Sequence, residues 1–169
     1  MPGTLRLVPY DPAWPARFAE EAARLAAALG ARAAAIEHVG STAVPGLAGK
    51  PVLDLAIAVT SEAAADACVA PLERLGYEYR GPHGEDPRRR YYVWNADGTR
   101  VAQIHMYVLP AVAWGEKLAF RDALRADPCL AAAYAAEKYR VAAVVGWDKG
   151  AYAVTKGAFV ERVLRDLQA

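Results

Sequence analysis

The chain has 169 residues, of which 55% are hydrophobic, and a formal net charge of +1 at pH 7. This length suits one domain that buries roughly 70% of the surface its unfolded chain exposes. The small net charge excludes a surface that coats nucleic acid diffusely, so any anion site must come from local clustering of basic residues. No apolar run approaches the ~20 residues that span a bilayer, and the first residues lack a signal-peptide core. We therefore expect a cytoplasmic protein with no membrane partner.

Helix signals flank the first pair of strands. Asp11 can cap a helix and Pro12 suits its first position, and apolar residues then recur at spacings of three and four until Gly30. A second helix is predicted from Ser61 to about Leu75.

Two apolar runs, 33–39 and 52–59, predict strands joined by a loop that opens with Gly40 and Ser41. Alternate residues of a strand share a face, so Asp54 lies on one face together with the alanines that follow it. A charge that is buried there without a partner would cost several kcal/mol or shift its pKa. Asp54 therefore needs a partner, a metal or an open cleft.

The second half begins with a hairpin and ends in helices. Strands are predicted over 88–94 and 99–108, joined by a turn at Asp97 and Gly98, and the second strand places Gln103, His105 and Tyr107 on one face. Three helices are predicted over 114–126, 130–145 and 151–167. The expected fold is α+β, a small mixed β-sheet with flanking helices followed by a C-terminal helical bundle. We expect a single domain, with its sheet over about 1–110 and its bundle over about 111–169.

The segment 38–54 carries a family resemblance. It reads HVGSTAVPGLAGKPVLD, and its Gly-Ser pair followed by an aspartate on a strand resembles the signature of the nucleotidyltransferase superfold, which includes the palm of DNA polymerase beta. The whole string is similar to the GrpB family of that superfold. Further matches follow in family order at His105, Trp114, Phe120, Arg121, Asp122, Leu124, Arg125, Tyr134, Lys138, Tyr152, Lys156, Phe159 and Val160. The resemblance implies transfer of a nucleotidyl group from a nucleoside triphosphate to an acceptor.

That chemistry requires a phosphate cradle and divalent metals. Gly40, Ser41 and Thr42 would hold the phosphates, since glycine lets backbone amides approach phosphate oxygens and serine adds a donor. Asp54 would be the catalytic metal-holding carboxylate.

The expected metal site departs from the superfold pattern, because the position of its second carboxylate is Ala56. The candidate ligands are Asp54, His105, Glu37 and His38. Carboxylate ligands suit Mg²⁺ or Mn²⁺, whereas imidazole suits Zn²⁺, Mn²⁺ or Ni²⁺. The alternative is that Asp54 pairs with a basic residue and that His105 is a hydrogen-bonded histidine of the sheet.

Basic residues predict an anion pocket that the bundle covers. Lys117, Arg121 and Arg125 recur at four-residue steps and so line one face of a helix. Two matched pairs, each a tyrosine and a lysine four residues apart, lie beside apolar stripes. The predicted anion-binding residues are Lys50, Arg88, Arg90, Arg121, Tyr134, Lys138, Tyr152 and Lys156. In the arginine run, alternation places Arg88 and Arg90 on one side and Arg89 on the other, and a solvated face is the alternative.

Two functions remain open from the sequence. One is a metal-dependent nucleotidyltransferase, and the other is a catalytically degenerate module that binds a nucleotide or another phosphorylated small molecule. Ala56 favours the second function. We expect nucleotide binding together with turnover that is slow or requires a metal softer than Mg²⁺.

Overall fold

The structure, a computed structural model, describes residues 6–168. Residues 1–5 lie outside that range. They belong to the N-terminal segment in which we predicted that no signal peptide is present. The helices are α1 (Trp14–Leu29), α2 (Glu62–Ala67), α3 (Val69–Arg74), α4 (Val112–Ala126), α5 (Pro128–Val144) and α6 (Lys149–Gln168). The strands are β1 (Ala35–Val39), β2 (Leu53–Val59), β3 (Glu78–Pro82), β4 (Arg90–Ala96) and β5 (Thr99–Val108). Within residues 6–168, no helix combines the length and apolar character that a membrane crossing requires.

The strands form one mixed sheet in the order β1-β2-β5-β4-β3. The central pair, β2 and β5, is parallel, and every other neighbouring pair is antiparallel. A parallel pair requires a long crossover, which the chain supplies as α2, α3, β3 and β4. The predicted α+β fold with a small mixed sheet is confirmed.

The two faces of the sheet have different coverings. Leu55, Ile57, Ile104 and Met106 point to one face, where they are fully buried with residues of α1 and α3 in the main hydrophobic core. On the opposite face, Ala56 and Tyr107 pack against Trp114 and Leu118 of α4. The polar residues of β2 and β5 lie on this second face, beneath the C-terminal helices.

The hairpin between β4 and β5 has the predicted turn. Asp97 and Gly98 both have positive φ, 50° and 75°. That pair of conformations is typical of the two-residue turns that match the twist of a β-hairpin.

The first helix begins later than its sequence predicts. α1 starts at Trp14, and the Asp11 carboxylate accepts a hydrogen bond from the Ala13 N–H at 2.9 Å. The Asp11 carbonyl accepts a second one from the Trp14 N–H at 3.0 Å. Asp11 therefore closes a turn before the helix, and Pro15 takes the early helical position expected for Pro12.

The predicted helix 61–75 is interrupted at Cys68. Its start is as predicted, since the Ser61 hydroxyl accepts a hydrogen bond from the Ala64 N–H at 3.1 Å. Pro71 explains the interruption: it has no N–H to donate to the carbonyl of Ala67, four residues earlier.

Candidate functional site

A cavity of about 430 Å³ lies between the polar face of the sheet and the three C-terminal helices. Ten of the residues predicted from the sequence line it: Gly40, Ser41, Lys50, Asp54, His105, Arg121, Tyr134, Lys138, Tyr152 and Lys156. The structure thus brings together residues from the loop after β1, from β2 and β5, and from α4, α5 and α6.

The register of β2 and β5 places the polar side chains of both strands side by side. Asp54 is paired with Gln103, and Ala56 is paired with His105. Asp54 and His105 therefore face the same side, as alternation along both strands predicts, and Asp54 Oδ1 lies 3.8 Å from His105 Nε2.

Asp54 is held by its neighbours on β5 and β4. The Gln103 amide donates a hydrogen bond to Asp54 Oδ1, and the Tyr91 hydroxyl donates to Gln103 Oε1 at 2.7 Å. Burial raises the pKa of the Asp54 carboxyl, but His105, Gln103 and the charge of Lys117 together outweigh it and lower that pKa. Asp54 is therefore ionised at neutral pH.

Arg89 determines the tautomer of His105. Arg89 Nη2 lies 2.7 Å from His105 Nδ1, and a guanidinium can only donate, so Nδ1 accepts. The neutral ring consequently carries its proton on Nε2, the nitrogen that faces Asp54. Burial lowers the pKa of His105 to about 4, so the ring is neutral at pH 7.

Gly40 allows the loop after β1 to approach Asp54 closely. Its φ is +72°, and a Cβ at this position would lie only 2.9 Å from Asp54 Cβ. The adjacent residue, Ser41, is thereby held at the edge of the cavity. Only glycine combines this backbone conformation with this separation.

Lys138 on α5 binds the same loop. Its ammonium group donates to Ser41 Oγ at 2.8 Å and to the carbonyl of Ala48. The residue is 1% exposed, and burial, with the charge of Lys156 as a smaller cause, lowers the pKa of Lys138 to about 7. Lys138 therefore stands near the midpoint of its titration at neutral pH.

Tyr152 connects two further cavity lysines. Its ring lies 5.0 Å from the Lys50 ammonium and 5.4 Å from the Lys156 ammonium. An aromatic ring that faces two cations attracts both of them and holds them near each other. This arrangement concentrates positive charge at the α6 side of the cavity.

The cavity lining is strongly basic. Six basic side chains line it, namely Lys50, Arg89, Lys117, Arg121, Lys138 and Lys156, against two acidic ones, Asp54 and Glu116. Arg121 is already neutralised, because it donates to Glu37 at 2.7 Å and to Asp122 at 2.8 Å. The lining nevertheless holds more basic than acidic side chains.

The sequence model of the GrpB protein family matches residues 4–166 of this chain. The chain belongs to the GrpB family. A UPF0157 protein of Pseudomonas aeruginosa is 36% identical over 95% of this chain, which spans 66% of that relative. A dephospho-CoA kinase of Mycolicibacterium paratuberculosis is 36% identical over 90% of this chain, which spans 43% of that protein.

Two solved structures share the fold of this GrpB chain. The crystal structure of GrpB from Enterococcus faecalis has a TM-score of 0.83 and 30% identity, and the match covers 97% of this chain and all of that one. The Cid1 poly(U) polymerase has a TM-score of 0.53 and 16% identity, over 79% of this chain and 45% of that one. The second match shows the fold alone, and it confirms the nucleotidyltransferase-like fold expected from the sequence.

Three predicted residues of the β1 region are not brought to the cavity of this GrpB chain. His38 lies on the opposite face of the sheet from Asp54, where its ring stacks on Phe18 with centroids 4.5 Å apart. Thr42 is buried, and its hydroxyl is 2.8 Å from His38 Nε2. Glu37 shares the face of Asp54, but its carboxylate is bound by Arg121. The prediction that His38 is a metal ligand beside Asp54 is therefore wrong, and Glu37 is already paired with Arg121.

The arginine run is oriented opposite to our prediction. Arg89 lines the cavity, whereas Arg90 lies on the other face and binds Asp66 at 3.1 Å. Arg88 binds Asp86 at 2.8 Å and does not line the cavity. The register explains the difference, because it pairs Arg90 with Met106 of the hydrophobic face.

Besides Arg89, several polar cavity residues were missing from the predicted site, among them Lys117, Gln103 and Tyr107. Lys117 was visible as the first member of the four-residue series with Arg121, and Gln103 and Tyr107 share the alternation of His105. The third basic residue of the series, Arg125, donates instead to the carbonyl of Ala43 at 2.8 Å.

Proposed function

We propose that this GrpB chain binds a nucleotide or another phosphorylated small molecule in the cavity between sheet and bundle. The main support is the composition of the cavity lining. Six basic and two acidic side chains line the cavity, although the net charge of the chain is only +1. Enclosure in low-dielectric walls strengthens the attraction of such a cluster for anions. The volume of about 430 Å³ falls within the range of small-molecule sites.

The phosphates would bind near Ser41. Its hydroxyl and the Lys138 ammonium are already 2.8 Å apart, and Lys156 and Lys50 approach from the Tyr152 side. Ammonium groups form charge-assisted hydrogen bonds with phosphate oxygens, which are roughly twice as strong as neutral ones. A ligand with two or three phosphates therefore gains more from this cavity than a monophosphate.

The ligand classes to test include coenzyme A and its precursors. One relative that carries this segment is named a dephospho-CoA kinase, and the match leaves more than half of that protein outside it. Its kinase activity can therefore belong to the unmatched part. Dephospho-CoA and coenzyme A join nucleotides and inorganic polyphosphates as candidate ligands.

Thermal unfolding with a ligand panel tests the proposal. A ligand at 100 times its Kd stabilises the folded state by about 2.7 kcal/mol, which corresponds to roughly 5–10 °C in Tm for a chain of this size. We expect phosphorylated ligands, but not adenosine, to raise Tm. The shift should shrink in Lys156→Met and persist in the matched control Arg165→Met, an exposed position of the same helix. Equal shifts for adenosine and nucleotides, or no shift at all, would overturn it.

Nucleotidyl transfer is the second candidate, and the position of Asp54 beside Gly40 in the same cavity favours it. In this reaction an acceptor oxygen bonds to the α-phosphorus, and the bond from that phosphorus to the oxygen bridging to the β-phosphate breaks. Pyrophosphate leaves with that oxygen, and the acceptor proton passes to water. Cavity lysines would stabilise the charge of the leaving pyrophosphate. Pyrophosphate release from a nucleoside triphosphate that depends on Asp54 would support transfer, whereas binding without release would leave ligand binding as the function.

A further inference from the structure

The residues around Asp54 do not fit a divalent metal. Within residues 6–168, no three His, Cys, Asp or Glu side chains converge as a metal site. The same-face neighbours of Asp54 on β2 and β5 are Ala56 and Gln103, and Gln103 directs its amide N–H, a donor, at Asp54 Oδ1. Hard cations such as Mg²⁺ need several oxygen ligands, and this part of the cavity supplies one carboxylate, one of whose two oxygens already accepts from Gln103.

His105 cannot supply the missing ligand in the observed arrangement. Its Nδ1 accepts from Arg89, so Nε2, which faces Asp54 at 3.8 Å, carries the proton. A metal binds the lone pair of an imidazole nitrogen, and the nitrogen that points toward Asp54 has none available. Metal binding between the two side chains would first require Arg89 to leave His105.

Lys117 provides positive charge at this place instead. The residue lines the cavity from α4, and among residues 6–168 it has no hydrogen bond or ion pair. Burial lowers the pKa of the Lys117 ammonium, and the charges of Arg89 and Lys156 lower it further, whereas the charge of Asp54 acts in the opposite direction and favours the charged form. Its ammonium is therefore available to a ligand.

Two further buried polar atoms also lack partners in this wall of the cavity. The hydroxyl of Tyr107, a residue only 2% exposed, and Arg89 Nε make no hydrogen bond. Arg89 lies over the Tyr107 ring at 4.9 Å. Buried polar groups are nearly always satisfied, so two unsatisfied donors on residues that line the cavity with Lys117 favour a ligand that brings an acceptor such as a phosphate oxygen.

We propose that the cavity takes a polyphosphate without a divalent metal, and that Lys117 supplies beside Asp54 the positive charge that a metal would otherwise bring. This inference rests on the proposed function, because it concerns the same ligand class. Lys117 and Arg89 would then bind the ligand, and the chain would select the free polyphosphate over its metal complex.

Calorimetric titration with inorganic tripolyphosphate tests the inference. Titrations are run with EDTA and with excess Mg²⁺, on the parent, on Lys117→Met and on the matched control Arg165→Met. We expect binding in EDTA that is equal to or tighter than binding in Mg²⁺, because Mg²⁺ competes for the phosphate oxygens. Lys117→Met should weaken binding by about tenfold or more, as expected for the loss of a charge-assisted contact, and Arg165→Met by less than about twofold.

The metal itself is titrated separately. The parent should show no stoichiometric Mn²⁺ binding by electron paramagnetic resonance, and the double variant Ala56→Asp, Gln103→Glu, which restores oxygen ligands, should gain it. Tripolyphosphate binding that appears only with Mg²⁺ or Mn²⁺, or one bound Mn²⁺ per parent chain, would overturn the inference and leave the proposed function standing. No tripolyphosphate binding with or without metal would overturn both.

Discussion

Gly40 has φ 72° and ψ −172°, a conformation that is almost confined to glycine. The same residue touches Asp54, because an added Cβ would lie 2.9 Å from Asp54 Cβ. Two independent restrictions thus act on one position, one from the backbone and one from the neighbouring strand. The loop that carries Ser41 depends on both.

Gly40→Ala should therefore lower the free energy of unfolding by about 2 kcal/mol or more, since strain in this region alone costs roughly 1–3 kcal/mol. Gly98→Ala is the matched control: Gly98 also has positive φ, 75°, but no atom lies within 4 Å of its added Cβ. The control should lose only about 1 kcal/mol. Urea denaturation measures both, and equal losses would show that contact with Asp54 contributes nothing.

Lys138 should make the free energy of unfolding depend on pH. Its pKa is about 7 in the folded protein and about 10.4 in an unfolded chain. Below pH 7 both states hold the proton, so this lysine contributes no slope. Between about pH 7 and 10 the unfolded state binds more protons, so the free energy of unfolding rises with pH, by at most about 1.4 kcal/mol per unit.

Urea denaturation at about pH 6.5, 7.5 and 8.5 isolates this contribution when the parent is compared with Lys138→Met. The parent should gain stability with pH relative to the variant, and only above about pH 7. Parallel curves for the two proteins would mean that the Lys138 ammonium keeps its ordinary pKa.

At the scale of elements, the sheet face beneath the bundle could be predicted and the orientation of the arginine run could not. Alternation along β2 and β5 places Asp54 and His105 together, because both lie within regular strands. Arg88 and Arg89 precede β4, which begins at Arg90. Alternation relates neighbouring residues within a strand, but the cross-strand register decides which set faces the cavity.

The corrected orientation predicts different roles for neighbouring arginines. Arg89→Met should weaken tripolyphosphate binding by about tenfold, because it removes a cavity cation. Arg88→Met removes a side chain that is paired with Asp86 outside the cavity, and it should change affinity by less than about twofold. Calorimetry measures both, with Tm as the check on folding. A larger loss in Arg88→Met than in Arg89→Met would contradict the placement.

At the scale of the whole molecule, the cavity exists because the last three helices of the chain cover a sheet whose strands precede them in the sequence. The contact between Lys138 and Ser41 joins residues 97 positions apart. The sequence predicted inward lysines, because they lie beside apolar stripes of their helices. It could not predict that Lys138 would reach Ser41 or that Arg121 would be neutralised by Glu37, since those pairings depend on how α4 and α5 dock on the sheet.

We expect phosphates to bind between Ser41 and the lysines of α4, α5 and α6. A crystal structure of the chain grown with a non-hydrolysable nucleoside triphosphate tests it most directly. We predict that the phosphates lie within hydrogen-bond distance of Ser41 Oγ and of at least two of the ammonium groups of Lys117, Lys138 and Lys156. A triphosphate bound elsewhere on the molecule, with solvent alone in the cavity, would contradict this placement of the phosphates.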